Sequence, residues 1–353
     1  MPWSDVTIDL AFAAGGLLLL GVILYALLAG ADFGGGIWDL LARGPRADRQ
    51  RQEIARAIGP IWEANHVWLI FTIVVAFSAF PDVYAGLSTA LFIPLSLILV
   101  GIVLRGAAFV FRAYAHDVVQ AQQAWGAVFA IASVGTPFLL GMCAGAIATG
   151  EIRIVDGEVQ SSLWSTWLAP FPIVVGLVSL ATCAFLAAVY LTNDVRGQID
   201  LAEDFRIRAL GAGIAAIGLA LVALVLARSQ APVIWHGMTD RDVWTVIPLG
   251  VALAVLSGWA VWNRHYPLAR VSAAAEVIVL IVGWALAQYP YLVVPDLTYQ
   301  NAAASDAMLK VSLIAFGIGS LLLIPSLALL FALFKGRNPA ITGEYGGSTS
   351  ELT

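Results

Sequence analysis

Nine stretches of the chain are each apolar for close to the length a helix needs to cross a bilayer core, about 20 consecutive residues. They run Leu10–Leu28 (with an extension to Leu41 left open), Ile58–Phe80, Tyr84–Leu104, Trp125–Ala148, Trp167–Leu191, Leu210–Ala227, Val243–Trp262, Val271–Tyr289 and Ala307–Phe334. Runs of this length lack the two-residue alternation of barrel strands. The fold expected is therefore all-α, a polytopic membrane protein with nine transmembrane helices in packed bundles. Composition agrees: 60% of the 353 residues are hydrophobic and only 12% are charged, where a soluble domain carries about 25%. That excludes a soluble enzyme, a nucleic-acid reader and a disordered hub. Residues 1–334 read as one transmembrane domain, and 335–353 as a polar, glycine-rich cytoplasmic tail.

Orientation follows from the basic residues. Of the 18 Lys and Arg, 14 fall on one side of the nine-span topology, among them Arg43, Arg46, Arg49, Arg51, Arg56, Arg105 and Arg112. Arg153, Arg228, Arg241 and Lys310 fall on the other. The positive-inside bias then puts the N-terminus outside and the C-terminus in the cytoplasm, as an odd number of spans requires. The first span has no basic leader segment and no small-residue cleavage site, so it reads as an anchor. The connections are too short for a soluble catalytic domain. One of them, Ile152–Val159, alternates weakly around Asp156-Gly157 and reads as a small external hairpin.

An ionisable side chain at a helix centre costs about 2.5–3.5 kcal/mol on insertion scales, so each one calls for a reason. Asp32 lies within Gly30-Ala31-Asp32-Phe33-Gly34-Gly35-Gly36. Gly30 and Gly34 form a small-xxx-small pair that lets another helix approach closely. The glycine face of this span is a candidate contact with a partner chain. Two readings of Asp32 stand side by side: the N-cap of a short interfacial helix from Phe33, with the glycines making a bend, or a buried acid at a helix–helix contact. The second cluster is Pro60-Ile61-Trp62-Glu63-Ala64-Asn65-His66-Val67-Trp68. Glu63 and His66, three apart, share a helix face. Glu63 either pairs with Arg105 or Arg56, or exchanges protons as an acid flanked by Trp62, Asn65 and Trp68. A carboxyl in apolar surroundings can trade its proton near neutral pH, and Asp32 is expected at a similar depth near the cytoplasmic surface.

Other charges read as peripheral. Glu276 is expected to snorkel to water beside Arg270, Arg105 and Arg112 to anchor the inner surface, and Lys310 to sit at the outer interface. Cys143 and Cys183 lie in apolar runs without C-x-x-C spacing and read as packing residues. Of four histidines (His66, His116, His236, His265) only His66 falls within a span, and Met142 is the one methionine near a span's middle. A b-type haem usually takes axial His or Met, so several haems held by this chain alone are not expected. Redox chemistry would sit mainly in a partner.

These motifs carry a resemblance. Gly30-x-Asp32-Phe33-Gly34-x-Gly36, Pro60-x-Trp62-Glu63-x-Asn65-x-Val67-Trp68-Leu69 and Leu104-Arg105-Gly106-x-x-Phe109-x-Phe111-Arg112 resemble subunit II of the cytochrome bd-type quinol oxidases. The likeness continues through Pro170-Phe171, Gly176-Leu177, Tyr289-Pro290-Tyr291-Leu292, Asn301-Ala302-Ala303 and Pro325 to Phe334-Lys335-Gly336, nearly the whole chain in order. The resemblance implies a respiratory complex in a bacterial or archaeal cell membrane that oxidises quinol and reduces oxygen to water. Haem b, haem d and the quinol-oxidation site would belong to the partner, subunit I. This chain would be its haem-free helical companion with a cytoplasmic proton-uptake role. A structural quinone, membrane lipid and small accessory membrane subunits are left open by it. Carried over by position, Glu63 and Asp32 are the proton-uptake acids, with Gly30, Gly34, Trp62, Asn65, Trp68 and Arg105 as supporting residues. Many members carry an acid where this chain has Val110, which would leave the route here shorter or differently wired.

The rival of another class is a proton- or ion-coupled transporter, which also carries acids in a helical bundle. Transporters tend to show interrupted helices in matching positions of two halves; here one glycine-rich segment, after the first span, has no counterpart. A purely structural scaffold is the other alternative.

Overall fold

Asp9 starts the first helix. Its Oδ1 accepts the Phe12 amide at 2.7 Å and caps α1 (Leu10–Leu40), removing one of the unpaired donors every helix start exposes. The computed structural model describes residues 9–114, 119–239 and 242–335, and for 59–63 and a few helix ends only the backbone. After α1 come α2 (Ala47–Ala79), α3 (Pro81–Ala90), α4 (Phe92–Tyr114), α5 (Val119–Thr149), α6 (Pro170–Asp194), α7 (Ile199–Gln230), α8 (Pro232–Thr239), α9 (Val246–Trp262), α10 (Tyr266–Gln288) and α11 (Asp306–Lys335). Two short hairpins interrupt the series: β1 (Ile154–Val155) with β2 (Glu158–Val159), and β3 (Tyr291–Val293) with β4 (Leu297–Thr298). The first turns on Asp156 and Gly157, both at positive φ, the backbone a tight two-residue hairpin demands.

Among the described residues, α1, α4, α5, α6, α7, α10 and α11 are long and apolar enough to cross a membrane. The apolar half of α2 together with α3 forms an eighth candidate, bent by 115°. α9 is apolar but only 17 residues long. The molecule is thus an all-helical polytopic membrane protein.

Two boundaries differ from the expectation. The third run, Tyr84–Leu104, is not one helix. Pro81 opens α3 as its first residue, which drives Phe80 before it out of the helical region (φ −136°, ψ 63°). A second break at Leu91 separates α3 from α4, so the membrane helix here is Phe92–Tyr114 and continues well past Leu104. The first run takes the extension left open for it, and no new helix begins at Phe33: α1 continues unbroken through Gly30, Gly34, Gly35 and Gly36 to Leu40. A glycine costs up to about 1 kcal/mol in a helix relative to alanine. Burial of this stretch on every side outweighs that local penalty.

Buried side chains form two large clusters at opposite ends of the bundle. One joins Trp38 of α1, Ile54 of α2, Phe129 of α5, Leu186 of α6, Phe205 of α7 and Val277 of α10. The other joins Ala14 of α1, Val75 and Phe80 by the α2–α3 bend, Met142 of α5, Val293 of β3 and Leu309 of α11. Asp32 lies on α1 between Ala14 of the second and Trp38 of the first.

Polar ties fasten each end. At the α1–α2 turn the Arg46 guanidinium donates to both Asp204 oxygens (2.8 and 2.6 Å), Gln50 donates to Asp204 (2.7 Å), and Arg208 donates to Gln50 (2.8 Å). At the far end Arg153 donates to both oxygens of Asp296 (2.9 and 3.0 Å), and the Ile154 amide donates to the same carboxylate (2.8 Å). The side chain of Asp296 so strings the two hairpins together. α11 stands apart, packing mainly on α2 and α1, with Val311, Ile314, Ile318 and Leu321 exposed along its outer face.

The Arg153 guanidinium beside Asp296 holds its carboxyl below the ordinary aspartate range. A lowered native pKa contributes stability that is complete above the unfolded value, about 3.9, and lost as pH falls through the native one. Hydrogen exchange should therefore show the Ile154 amide protected at neutral pH and loosened only in strong acid, while Asp296→Asn loosens it at neutral pH. Equal protection in the variant would mean the hairpins dock without this tie.

Candidate functional site

The C-terminal half of α1, Ala29 to Asp39, is buried at every residue. Its glycines explain how. A Cβ on Gly34 would collide with the backbone carbonyl of Cys183 in α6, and one on Gly30 would come within 2.8 Å of Leu186. A Cβ on Gly35 would meet Ile58 of α2 at 2.7 Å, and one on Gly36 would strike Ser133 of α5. Three different helices therefore touch α1 over two turns. The glycine face expected to meet a partner chain is instead consumed inside this one, by α6.

This close approach encloses Asp32, which is 0% exposed, and Arg105 of α4, which is 3% exposed. Arg105 Nη1 donates to Asp32 Oδ2 at 2.7 Å, and Nη2 donates to Oδ1 at 2.8 Å. Nη2 also reaches the Asp32 backbone carbonyl at 2.8 Å, and Nε donates to Ser133 Oγ at 2.9 Å. Asn65 Nδ2 adds a third hydrogen bond to the carboxylate, on Oδ2 at 3.2 Å. The guanidinium carbon lies 5.0 Å from the Phe33 ring and 4.8 Å from the Phe129 ring. All three guanidinium nitrogens are engaged, and the pair is bidentate, the geometry in which Arg and carboxylate bind most strongly.

A small cavity opens beside the pair, lined by Tyr25, Asp32, Asn65, His66, Ile102 and Arg105 among others. It offers about 10 Å³ to a water's centre, room for one water molecule. Asn65 is 2% exposed, and its Oδ1 has no hydrogen-bond partner among the described residues. The site is thus polar, nearly dry and enclosed by aromatic rings.

Several expectations change here. Asp32 does not cap an interfacial helix; it is a buried acid at a helix–helix contact. Arg105 is not an inner-surface anchor, because α4 runs nine residues beyond it and carries it into the bundle. Arg105 pairs with Asp32, and Arg56 bonds Glu53 at 2.9 Å. The side chains of Glu63 and Trp62 lie outside the described residues, although α2 carries both positions in continuous helix one turn before Asn65 and His66. Trp68 packs edge-on against Phe71 with ring centroids 5.4 Å apart and does not line the cavity.

Sequence reasoning passed over Ser133, Phe129 and Tyr25. Tyr25 stands seven residues before Asp32, two helical turns away on the same face, and that spacing was a readable signal. Ser133 was readable only as a lone hydroxyl in an apolar run. Glu276 does not snorkel beside Arg270. It meets Ser257 of α9, while Arg270 faces Asp194 at 3.5 Å and the Tyr190 ring at 5.0 Å.

Comparison with known proteins places this geometry. The family described as cytochrome bd terminal oxidase subunit II matches residues 10–334. A cytochrome bd ubiquinol oxidase subunit 2 of Bacillus subtilis (strain 168) is 27% identical over 329 residues, covering 88% of this chain and 93% of that one. The cytochrome bd-I ubiquinol oxidase subunit 2 of Escherichia coli K12 is 28% identical over 189 residues, 52% of this chain and 49% of its own. Among solved structures, a chain of the bd oxidase from Geobacillus thermodenitrificans shares the fold, with a TM-score of 0.77 at 22% identity over 93% of this chain and 99% of that one.

Removing one partner of a buried pair leaves a bare charge and costs about 3–5 kcal/mol. Asp32→Asn and Arg105→Met should each lower the thermal midpoint of the detergent-purified protein sharply. The double variant Asp32→Leu/Arg105→Met should recover most of that loss. A double variant as unstable as the sum of the two would show that the residues act independently.

Proposed function

The chain belongs to the cytochrome bd terminal oxidase subunit II family, and from that footing we propose that it brings cytoplasmic protons toward the oxygen-reducing centre of its complex. Membership makes it a subunit of a membrane quinol oxidase, an oxidoreductase, with subunit I as its partner. Among the described residues, the surroundings of the three histidines do not fit a haem. The cavity beside His66 holds about one water, His236 Nδ1 lies 2.7 Å from the Pro232 carbonyl, and His265 stacks on Trp259. His116 lies outside the described residues. Haem b and haem d are assigned to subunit I on family membership, and electron transfer with them.

The observation that carries the proton reading is the polar cavity enclosed within the bundle beside Asp32. Reducing oxygen to water consumes protons as well as electrons, and those protons have to cross apolar surroundings. Glu63 stands three residues before His66 on α2, a spacing that puts the two positions on one helix face, and His66 lines the cavity. Asp32 serves the route as a fixed anion. Alone, the Arg105 cation would repel a passing proton; paired with Asp32, the two present no net charge. Tyr25 and His66 supply groups that can hand a proton on through a single water, from which Asn65 Oδ1 is free to accept a hydrogen bond.

The membrane arrangement we propose has nine crossings, adding the apolar half of α2 and the short α9 to the seven helices above, with the N-terminus outside and the C-terminus in the cytoplasm. The ties around Arg46 and Arg208, with Arg49 on Gln198 and Arg264 on Glu203, gather at the end assigned to the cytoplasm, and Arg153 stands at the other. That concentration supports the orientation. The setting is the cell membrane of a bacterium or archaeon.

In the assembled oxidase, Glu63→Gln should cut oxygen consumption on the order of tenfold or more with the haem spectrum unchanged. Full turnover in a correctly assembled variant would leave the chain a scaffold with no part in proton uptake.

A further inference from the structure

Glu276 is a second carboxyl that the family's chemistry does not absorb. It is the eleventh of the 23 residues of α10, and α10 is apolar enough to cross a membrane, so its depth is that of the bilayer middle. Among the described residues no cation pairs with it. Arg270, on the same helix, is turned to Asp194 and Tyr190. The helices packed on α10 are α9, α6, α8 and α1, with the 3-10 turn Asp242–Thr245, in which the side chain of Asp242 lies outside the described residues. α9 has no titratable side chain, and the acid of α6 is Asp194, already paired. On α8, His236 bonds Pro232; on α1, Asp32 is held by Arg105, and Asp39 is at the helix end.

What Glu276 touches is Ser257 of α9, which is 1% exposed. Ser257 Oγ lies 3.0 Å from Glu276 Oε2 and 3.0 Å from the Ala254 carbonyl. A carbonyl oxygen carries no proton and a hydroxyl carries one. Serines inside helices commonly give theirs to a preceding backbone carbonyl. With that proton on Ala254, the contact to Glu276 becomes a full hydrogen bond only if the carboxyl supplies a proton of its own. An ionised Glu276 would set two acceptors against one hydroxyl proton, with no cation nearby, where an isolated charge is very costly.

We infer that Glu276 is a neutral carboxylic acid inside the membrane, a proton-holding site distinct from the Asp32 cavity and open to modification by a lipophilic carbodiimide. Its O–H donates to Ser257 Oγ, and the Ser257 O–H donates to the Ala254 carbonyl. The inference rests on α10 as a membrane span and not on the proton-uptake role of Glu63. The modification balances without a leaving group or redox change. The acid's proton passes to one carbodiimide nitrogen as its oxygen bonds the central carbon, and the O-acylisourea rearranges to a stable N-acylurea.

The test treats the assembled complex in mild detergent at neutral pH with N,N′-dicyclohexylcarbodiimide and maps adducts by peptide mass spectrometry. An adduct of one carbodiimide is expected on Glu276, lost in Glu276→Gln, kept in Ser257→Ala and absent with a water-soluble carbodiimide. Unchanged visible spectra establish that both variants assemble. Infrared difference spectra, wild type minus Glu276→Gln, decide the matter if the reagent does not enter. The carbonyl stretch of a protonated carboxylic acid supports the inference, and that band should shift in Ser257→Ala. Carboxylate stretches in its place, or labelling by the water-soluble reagent alone, overturn it.

Discussion

A charged pair sealed in an apolar bundle is stable only if nothing in it is left unsatisfied, and the Asp32–Arg105 contact sets the terms for the helices around it. Its desolvation is offset by bidentate geometry, a backbone carbonyl, a serine hydroxyl, an asparagine amide and two aromatic faces. Those partners come from α1, α2, α4 and α5. Each helix must hold its rotation and depth for the set to close. The glycines of α1 are what permit it, since three neighbours have to come within backbone distance of the acid's own helix. Pairs of this kind contribute little net stability over well-packed apolar groups, yet they penalise alternative packings heavily. In this chain the pair serves as the register mark of the bundle.

Around that mark, the two ends are built differently. The end with Trp38 and Phe205 closes through the Arg46–Asp204–Gln50–Arg208 chain of hydrogen bonds, and Trp38 donates its indole proton to the Ala184 carbonyl at 2.7 Å. The far end closes through hairpins and Asp296. Exposed ties of this sort are individually weak. Their service is positional: they stop the helix ends from splaying, which keeps the interior site dry. Dryness in turn keeps the electrostatics of Asp32 and Arg105 strong, because low polarity magnifies both attraction and the cost of losing it.

How much of this was written in the sequence differs residue by residue. The nine apolar runs are mostly helical in the structure, Tyr84–Leu104 being split at Leu91, because length and hydropathy are local properties. The Asp156-Gly157 turn was equally readable, since only residues tolerant of positive φ suit it. The continuity of α1 was not readable: glycine's helix penalty is local, whereas the burial that overrides it comes from α2, α5 and α6. The partner of Arg105 was hidden for the same reason, with 73 residues separating it from Asp32. Taking Leu104 as a span end put Arg105 at the surface, an error that Pro81 could have prevented. Glu276 looked shallow because α10 begins at Tyr266, five residues ahead of the apolar run.

That separation also has a consequence for biogenesis. A chain grows at about 5–20 residues per second, so Asp32 is synthesised about 4–15 s before Arg105. During that interval α1 must be accommodated with its acid uncompensated, at an insertion penalty of about 2.5–3.5 kcal/mol. Its glycine-rich end adds little hydrophobic pull against that penalty. That penalty is relieved only when α4 brings Arg105 to the acid.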